Sequence, residues 1–410
     1  MYDLVVIGGG PAGMMAAGRA EERGRSVLLL EKNPGLGKKL LITGGGRCNI
    51  TNNKTEVRTM LSKYKGNDQF LFSAFAQFSV KDALGFFNSR GLATKEENEG
   101  RIFPVSDSAK SVFDVLVKYM KEGKVKVQTN ADVVGILVDT PTGNIKITTK
   151  DKKEILAKAC VIATGGISRP ETGSTGEGFK WLKKLGHTIV ENDFALVPVA
   201  LADGWAKKLG GVTLDNIKLT TFQNGKKQSV GKGSLLFTHF GITGPTVLNM
   251  SKEIGELLKY GKVVIELDLF PNTDLGALKK QLQELLAAHN NKKLKNVLSD
   301  LIPTVLAVAL LRIVNSEGET KNNIVSAESR KKLVSMMKAI PLNVSHILGA
   351  DKAVISSGGV ALPEVNFKTM ESRLIKNLYL VGDVLNIDRP SGGYSLQLCW
   401  TTGFVAGSNV

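Results

Sequence analysis

Cysteine is scarce in this chain. Its 410 residues include three, Cys48, Cys160 and Cys399, too few and too scattered for a disulfide framework or a zinc site. No C-x-x-C pair occurs, which argues against a disulfide relay as a redox device. Long hydrophobic runs are also missing. The longest, Leu301 to Val314, is too short to span a bilayer and carries Pro303 and Arg312. A strand-like run, Tyr2 to Ile7, begins almost at once and leaves no room for a signal peptide. Acidic residues are outnumbered, 38 against 54 Lys and Arg, for a net charge of +16. That surplus bears on solubility and on polyanionic partners, not on fold. With 42% apolar and 22% charged residues, wholesale disorder and collagen are excluded. A soluble, cytoplasmic protein of two or three domains is expected.

Glycine, by contrast, is abundant: 44 residues with no short period. Such an excess marks tight turns or backbone packed against a ligand. Leu4 to Ile7 reads as a strand buried on both faces. Gly8-Gly9-Gly10-Pro11-Ala12-Gly13 then satisfies G-x-G-x-x-G, a helical run Met14 to Glu22 follows, and a second strand, Ser26 to Leu30, runs into Glu31-Lys32. This order is the dinucleotide-binding fingerprint. Gly8 permits the turn, Gly10 lets backbone approach a pyrophosphate, and Gly13 lets helix and strand pack closely. The helix N-terminus offers N–H groups to phosphate, and Glu31 is placed to accept from ribose hydroxyls.

Two later segments select the dinucleotide. Cys160 to Ala163 is a buried-strand run ending in Thr164-Gly165. Leu378 to Val381 is another, ending in Gly382-Asp383. An acid at that strand end suits the ribityl chain of a flavin. The set points to FAD held by one discontinuous domain. Gly392-Gly393-Tyr394 precedes a helix-compatible run, Ser395 to Ala406, whose N-terminus would stabilise charge on the flavin pyrimidine. No second G-x-G-x-x-G follows a strand, so hydride is expected either from NAD(P)H bound transiently at the flavin or from the substrate itself.

Gly35-Leu36-Gly37-Lys38-Lys39-Leu40-Leu41-Ile42-Thr43-Gly44-Gly45-Gly46-Arg47-Cys48-Asn49 resembles the signature of a bacterial flavoprotein family of NAD(FAD)-utilising dehydrogenases, with BaiN-like and aminoacetone-oxidase-like members. Arg101 to Pro104, Thr172 to Gly176, Leu236 to Pro245 and Ser391 to Gln397 are similar to it as well. The resemblance covers essentially the whole chain. It implies an FAD domain of the two-dinucleotide-fold superfamily interrupted by an insert. With it, the expected cofactor-binding set is Gly8, Gly10, Pro11, Ala12, Gly13, Glu31, Lys32, Lys39, Thr43, Gly44, Gly45, Arg47, Cys48, Asn49, Val133, Thr164, Gly165, Gly382, Asp383, Gly393, Tyr394, Ser395 and Leu396, with no metal. It leaves the substrate open, because activities across the family include amine oxidation, reduction of steroid-type enones and reduction of a ribosomal RNA uridine.

The remaining pattern organises the insert. Val125 to Ile136 alternates like a strand, Ile145 to Thr149 and Ile155 to Cys160 continue as strands, and Thr142-Gly143-Asn144 makes a turn. Residues 195–270 read as antiparallel β, with Asn224-Gly225 as a hairpin turn. Leu278, Leu282, Leu285 and Leu286 have helical spacing. Leu301 to Val314, apolar all round, suits a buried helix, and Lys331 to Ile340 suits a basic one. The expected fold is α/β, with a discontinuous Rossmann-like FAD domain (1–194 and 346–410), a β-rich insert (195–275) and a basic helical subdomain (276–345). Residues 276–340 carry 11 Lys and Arg against 5 Asp and Glu. The clusters Lys279-Lys280, Lys292-Lys293-Lys295 and Arg330-Lys331-Lys332 fit either ribosomal RNA or a solvated face.

Candidates for catalysis are His239, in a Gly- and Thr-rich loop, Arg47 and Arg389 in glycine-rich loops, and Cys48, whose thiol pKa Arg47 would depress. His187, His289 and His346 read as structural. The expected activity is that of an FAD-dependent oxidoreductase passing hydride through flavin N5 to a substrate, RNA or small molecule, between FAD domain and insert. Three alternatives stay open: a ribosomal RNA uridine reductase, an amine oxidase releasing peroxide, and a redox-sensing flavin-binding protein.

Overall fold

The run Leu4–Ile7 is apolar throughout because both its faces are covered. β1 (Tyr2–Ile7) pairs in parallel with β2 (Val27–Leu30) on one side and with the strand Glu154–Ile162 on the other. Lys126–Gln128 extends the sheet beyond β2, and Leu378–Leu380 joins it alongside Glu154–Ile162. Ile145–Thr149 and Val133–Val138 continue from Glu154–Ile162 as an antiparallel meander. This computed structural model describes residues 1–64, 66–139, 142–190, 194–289, 292–315, 326–349, 352, 355–356 and 358–410. They fall into two units, 1–194 with 350–410, and 195–349.

In the first unit the two ends of the chain are knitted by glycine. α1 (Pro11–Glu22) packs on the C-terminal helix Tyr394–Asn409. A Cβ on Gly403 would lie 2.4 Å from Ala12 O, and one on Gly407 2.5 Å from Ala16 O. Only residues without a side chain allow this approach. The strand expected over Val125 to Ile136 is two strands. Asn130, at φ +54°, breaks it, and the N–H groups of Asn130 and Ala131 turn to Asn33 O and Glu31 O. Of the segment expected to return the chain at 350–360, residues 350–351, 353–354 and 357 lie outside the described residues.

The second unit is a closed six-stranded barrel, in order Val199–Leu201, Gly241–Thr243, Lys226–Phe237, Thr213–Gln223, Val263–Asp268 and Ile340–Ile347. Asn224 and Gly225, at φ +50° and +73°, make the expected hairpin. The separate helical subdomain expected over 276–345 is corrected in two ways. Its helix Ala327–Lys338 stops before Ile340, which starts the strand that closes the barrel. The helices Leu275–Ala288, Thr304–Ile313 and Ala327–Lys338 also share one hydrophobic core with the barrel strands. Nor is Leu301 to Val314 buried all round: its helix begins after Pro303, and Val305 is exposed. Among the described residues no helix is long and apolar enough to cross a membrane.

Candidate functional site

The first unit holds a cleft at the carboxyl ends of its parallel strands, built on the turn after β1. Gly8 takes φ +108°, and a Cβ there would lie 2.4 Å from Ala163 O. Gly13 closes the turn from behind, since a Cβ on it would meet Gly8 O at 1.9 Å. Gly10 faces open space and caps α1 without a side-chain hydrogen bond. The first N–H groups of that helix are therefore available to an anion. At the end of β2 the buried Glu31 accepts from Gly9 N at 2.8 Å and from Asn33 N and Nδ2 at 2.8 and 2.7 Å.

A strap, residues 165–177, closes one side. Asn33 Nδ2 donates to Thr172 O at 3.0 Å, Lys38 Nζ to Glu171 O at 2.8 Å, and Lys32 Nζ to Thr175 Oγ1 and Glu177 Oε2, both at 2.6 Å. At the other end lies Asp383. Its carboxylate is held by the buried Arg389 guanidinium and by Lys39 Nζ at 3.4 Å. Burial alone would raise its pKa, but the two cations outweigh that and hold it below the usual carboxylate range. Arg389 also donates to Ser395 Oγ at 3.0 Å and to Ile387 O at 2.8 Å, and Lys39 donates to Ser168 Oγ at 2.6 Å.

The C-terminal helix starts at this end. Gly393 precedes it at φ +97°, and a Cβ there would lie 2.4 Å from Thr51 O. Tyr64 Oη donates to Tyr394 O at 2.9 Å, and Asn52 Nδ2 to Gly392 O at 3.1 Å. In the amide orientation that satisfies both its ends, Asn49 Oδ1 accepts from Gly393 N at 2.9 Å.

Of the expected set, Gly8, Gly10, Pro11, Ala12, Glu31, Lys32, Lys39, Thr43, Val133, Thr164, Gly165, Gly382, Asp383, Ser395 and Leu396 line the cleft. Gly13 packs behind it. Gly44, Gly45, Arg47, Cys48, Asn49, Gly393 and Tyr394 are not among its lining residues. Arg47 is spent on Glu97 and Asp107 and lies 4.3 Å from the centre of the Phe103 ring. The expectation that it depresses the Cys48 thiol is overturned: Cys48 is buried, and burial pushes its pKa up to about 12. Arg389 touches Asp383 and Ser395 rather than lining the cleft itself. His239 belongs to the second unit, where it is exposed with its ring 5.0 Å from that of Phe240. The reading of residues missed Asn33, Lys38, Gly173, Ser174, Glu177, Trp181 and Cys399, which also line the cleft. The glycines flanking Ser174-Thr175 were the available signal for the strap.

The donors fit FAD. Gly10 leaves a cradle that a Cβ would enter, the α1 terminus is unspent, and the buried Thr164 hydroxyl has no hydrogen-bond partner. Acids stand at both ends. The empty volume, about 1160 Å³ with its solvent-open part, is above the ~300–1,000 Å³ usual for ligand pockets.

Comparison with known proteins agrees with this geometry. The family described as HI0933-like protein Rossmann domain matches residues 2–409. The ribosomal RNA dihydrouridine synthase of Escherichia coli (strain K12) is 30% identical over 414 residues, covering 100% of this chain and 98% of that protein. The 3-dehydro-bile acid delta(4,6)-reductase of Clostridium scindens is 30% identical over 411 residues, covering 99% and 98%. Among solved structures, 3-ketosteroid delta1-dehydrogenase from Sterolibacterium denitrificans superposes with a TM-score of 0.56 at 13% identity, covering 99% of this chain and 98% of that one. The last likeness speaks to the fold alone.

Proposed function

This chain belongs to the HI0933-like Rossmann family of FAD-dependent oxidoreductases, and from that premise we propose that it is an NAD(P)H-dependent reductase of ribosomal RNA uridine. When bound, FAD would supply two-electron hydride chemistry. The α1 N-terminus binds the pyrophosphate, Glu31 the adenosine ribose, and Asp383 the ribityl hydroxyls. The N-terminus of the C-terminal helix, with Ser395 and Leu396 at the cleft, would stabilise negative charge on the flavin. The uridine C5=C6 bond takes hydride at one carbon and a proton at the other, and NAD(P)H becomes NAD(P)⁺.

The observation that carries the RNA reading over a small-molecule one is the net charge of +16, which suits a polyanionic substrate. Reduction of a steroid-type enone is the second reading. It is favoured by the bile acid reductase, which matches this chain at the same 30% identity as the RNA enzyme. The test is anaerobic. NADPH or NADH should bleach the flavin rapidly. Ribosomal RNA from cells lacking the gene should restore its colour and gain dihydrouridine by mass spectrometry. Restoration by a dienone steroid alone selects the second reading. Bleaching by an amine only, with peroxide release in air, replaces both by an oxidase. Slow turnover with every donor, together with a partner affinity that changes with flavin state, replaces them by a sensor.

A further inference from the structure

One end of the barrel carries charge and an aromatic ring that the cofactor site does not use. The register Gln223↔Val263 sets the hairpin tip Asn224-Gly225 beside the turn Tyr260-Gly261-Lys262. Gln223 Nε2 donates to Leu257 O, and a Cβ on Gly261 would lie 3.7 Å from Asn224 Oδ1. Two segments thus bring Lys226, Lys227, Lys259 and Lys262 together, all exposed. Lys259 is balanced by Glu256 at 2.7 Å, while Lys226, Lys227 and Lys262 make no ion pair among the described residues. Within this group stands Tyr260, 76% exposed, the most exposed large hydrophobic side chain among the described residues.

Part of the charge on the helices that looked basic in the sequence is taken up within the unit. Lys338 is turned inward onto Asp268, Phe270 O and Thr273 O, Lys280 lies 3.9 Å from Glu284, and Lys332 lies 2.8 Å from Glu328. The barrel end keeps its surplus. A single ring among cations, without a broad apolar patch, lacks the area a membrane or a folded protein surface would bury. It matches an unpaired nucleobase with phosphates on either side.

We propose that this end of the barrel docks single-stranded RNA, with Tyr260 stacking on an unpaired base and the four lysines meeting neighbouring phosphates. The inference rests on the RNA reading above and adds to it a contact outside the cofactor unit.

The test uses the holoprotein and a short unstructured RNA carrying fluorescein, read by anisotropy from about 50 to 200 mM KCl. Tyr260→Ala is expected to weaken binding about five- to a hundredfold, and Tyr260→Phe to keep it. Lys226→Gln with Lys227→Gln, or Lys259→Gln with Lys262→Gln, should each flatten the slope of log affinity against log salt by about 1.4. Lys279→Gln with Lys280→Gln on the helix Leu275–Ala288 should change little. An unchanged circular-dichroism melt confirms that the exposed Tyr260 variant folds. The proposal is overturned if Tyr260→Ala binds like the wild type, if the helix variant loses binding instead, if an acidic peptide of equal charge competes as well as RNA, or if the wild type retains no RNA. Dihydrouridine formation by the wild type decides the substrate reading separately. If it persists while no barrel-end variant alters binding, this surface alone fails.

Discussion

Asp383 is a carboxylate kept ionised where burial by itself would protonate it. Arg389 and Lys39 supply the compensation, and Arg389 ties the same charge to Ser395 at the start of the C-terminal helix. Because the folded pKa is depressed, the stability this group contributes is present above the ordinary carboxylate range and is lost as pH falls through the folded value. In Arg389→Met only Lys39, at 3.4 Å, opposes burial. The folded pKa then rises toward or past the unfolded value, so the part of the stability that Asp383 loses on acidification shrinks. Breaking such a buried pair costs about 3–5 kcal/mol. Urea unfolding of Arg389→Met should show most of that loss near neutral pH, with the gap to wild type narrowing as pH falls below the carboxylate range. Equal midpoints would mean that the pair contributes nothing. The buried Cys48 gives a second residue-scale expectation. With its pKa near 12 it carries almost no thiolate at about pH 8, so iodoacetamide should label it only after denaturation. Native labelling would restore the activated thiol that the sequence suggested.

At the scale of elements, the strap of residues 165–177 is fastened by side chains from the loop after β2. Its αL positions, Gly165, Arg169, Gly173 and Gly176, fold it over the cleft. Lys32→Met combined with Asn33→Ala removes three of those hydrogen bonds, worth about 0.5–1.5 kcal/mol each. FAD should leave this variant at least severalfold faster, measured by recovery of flavin fluorescence on dilution, with its absorbance spectrum unchanged. An unaltered release rate would show that the strap does not retain the cofactor. The strap was poorly legible in the sequence because it has no period: its role comes from hydrogen bonds across more than 130 residues. The fingerprint was legible because Gly8, Gly10, Gly13 and Glu31 act within one local unit whose spacing is fixed by backbone geometry. Asp383 was legible for the same reason, as an acid at a strand end. The closing strand of the barrel was hidden by Pro341, which argues against a strand, and by a basic helix that ends two residues before Ile340. Arg47 misled because its neighbours in sequence are not its partners. Glu97 and Asp107, about fifty and sixty residues on, take its charge.

For the whole molecule, the cofactor cleft draws every lining residue from 7–181 and 381–399, all within the first unit. Among the described residues, those between supply none. Their excision is also geometrically mild, because Ile189–Val190 pairs antiparallel with Val360–Gly359 and so holds the chain on either side of the insert one strand apart. The first unit has its own hydrophobic core, built from both chain ends, and the second has another. We therefore expect a protein in which residues 195–349 are replaced by a short Gly-Ser linker to purify yellow, with FAD bound in a one-to-one ratio. It should lose RNA retention, because Tyr260 and its lysines leave with the barrel. A chain ending before Leu378 should retain no flavin, since it lacks Gly382, Asp383, Ser395 and the helix that packs on α1. Flavin content and RNA anisotropy on the two shortened proteins separate the contributions. A colourless excision variant that is nonetheless folded by circular dichroism would mean that the barrel takes part in holding the cofactor, and flavin bound by the truncated chain would mean that the N-terminal fingerprint suffices without its distant acid.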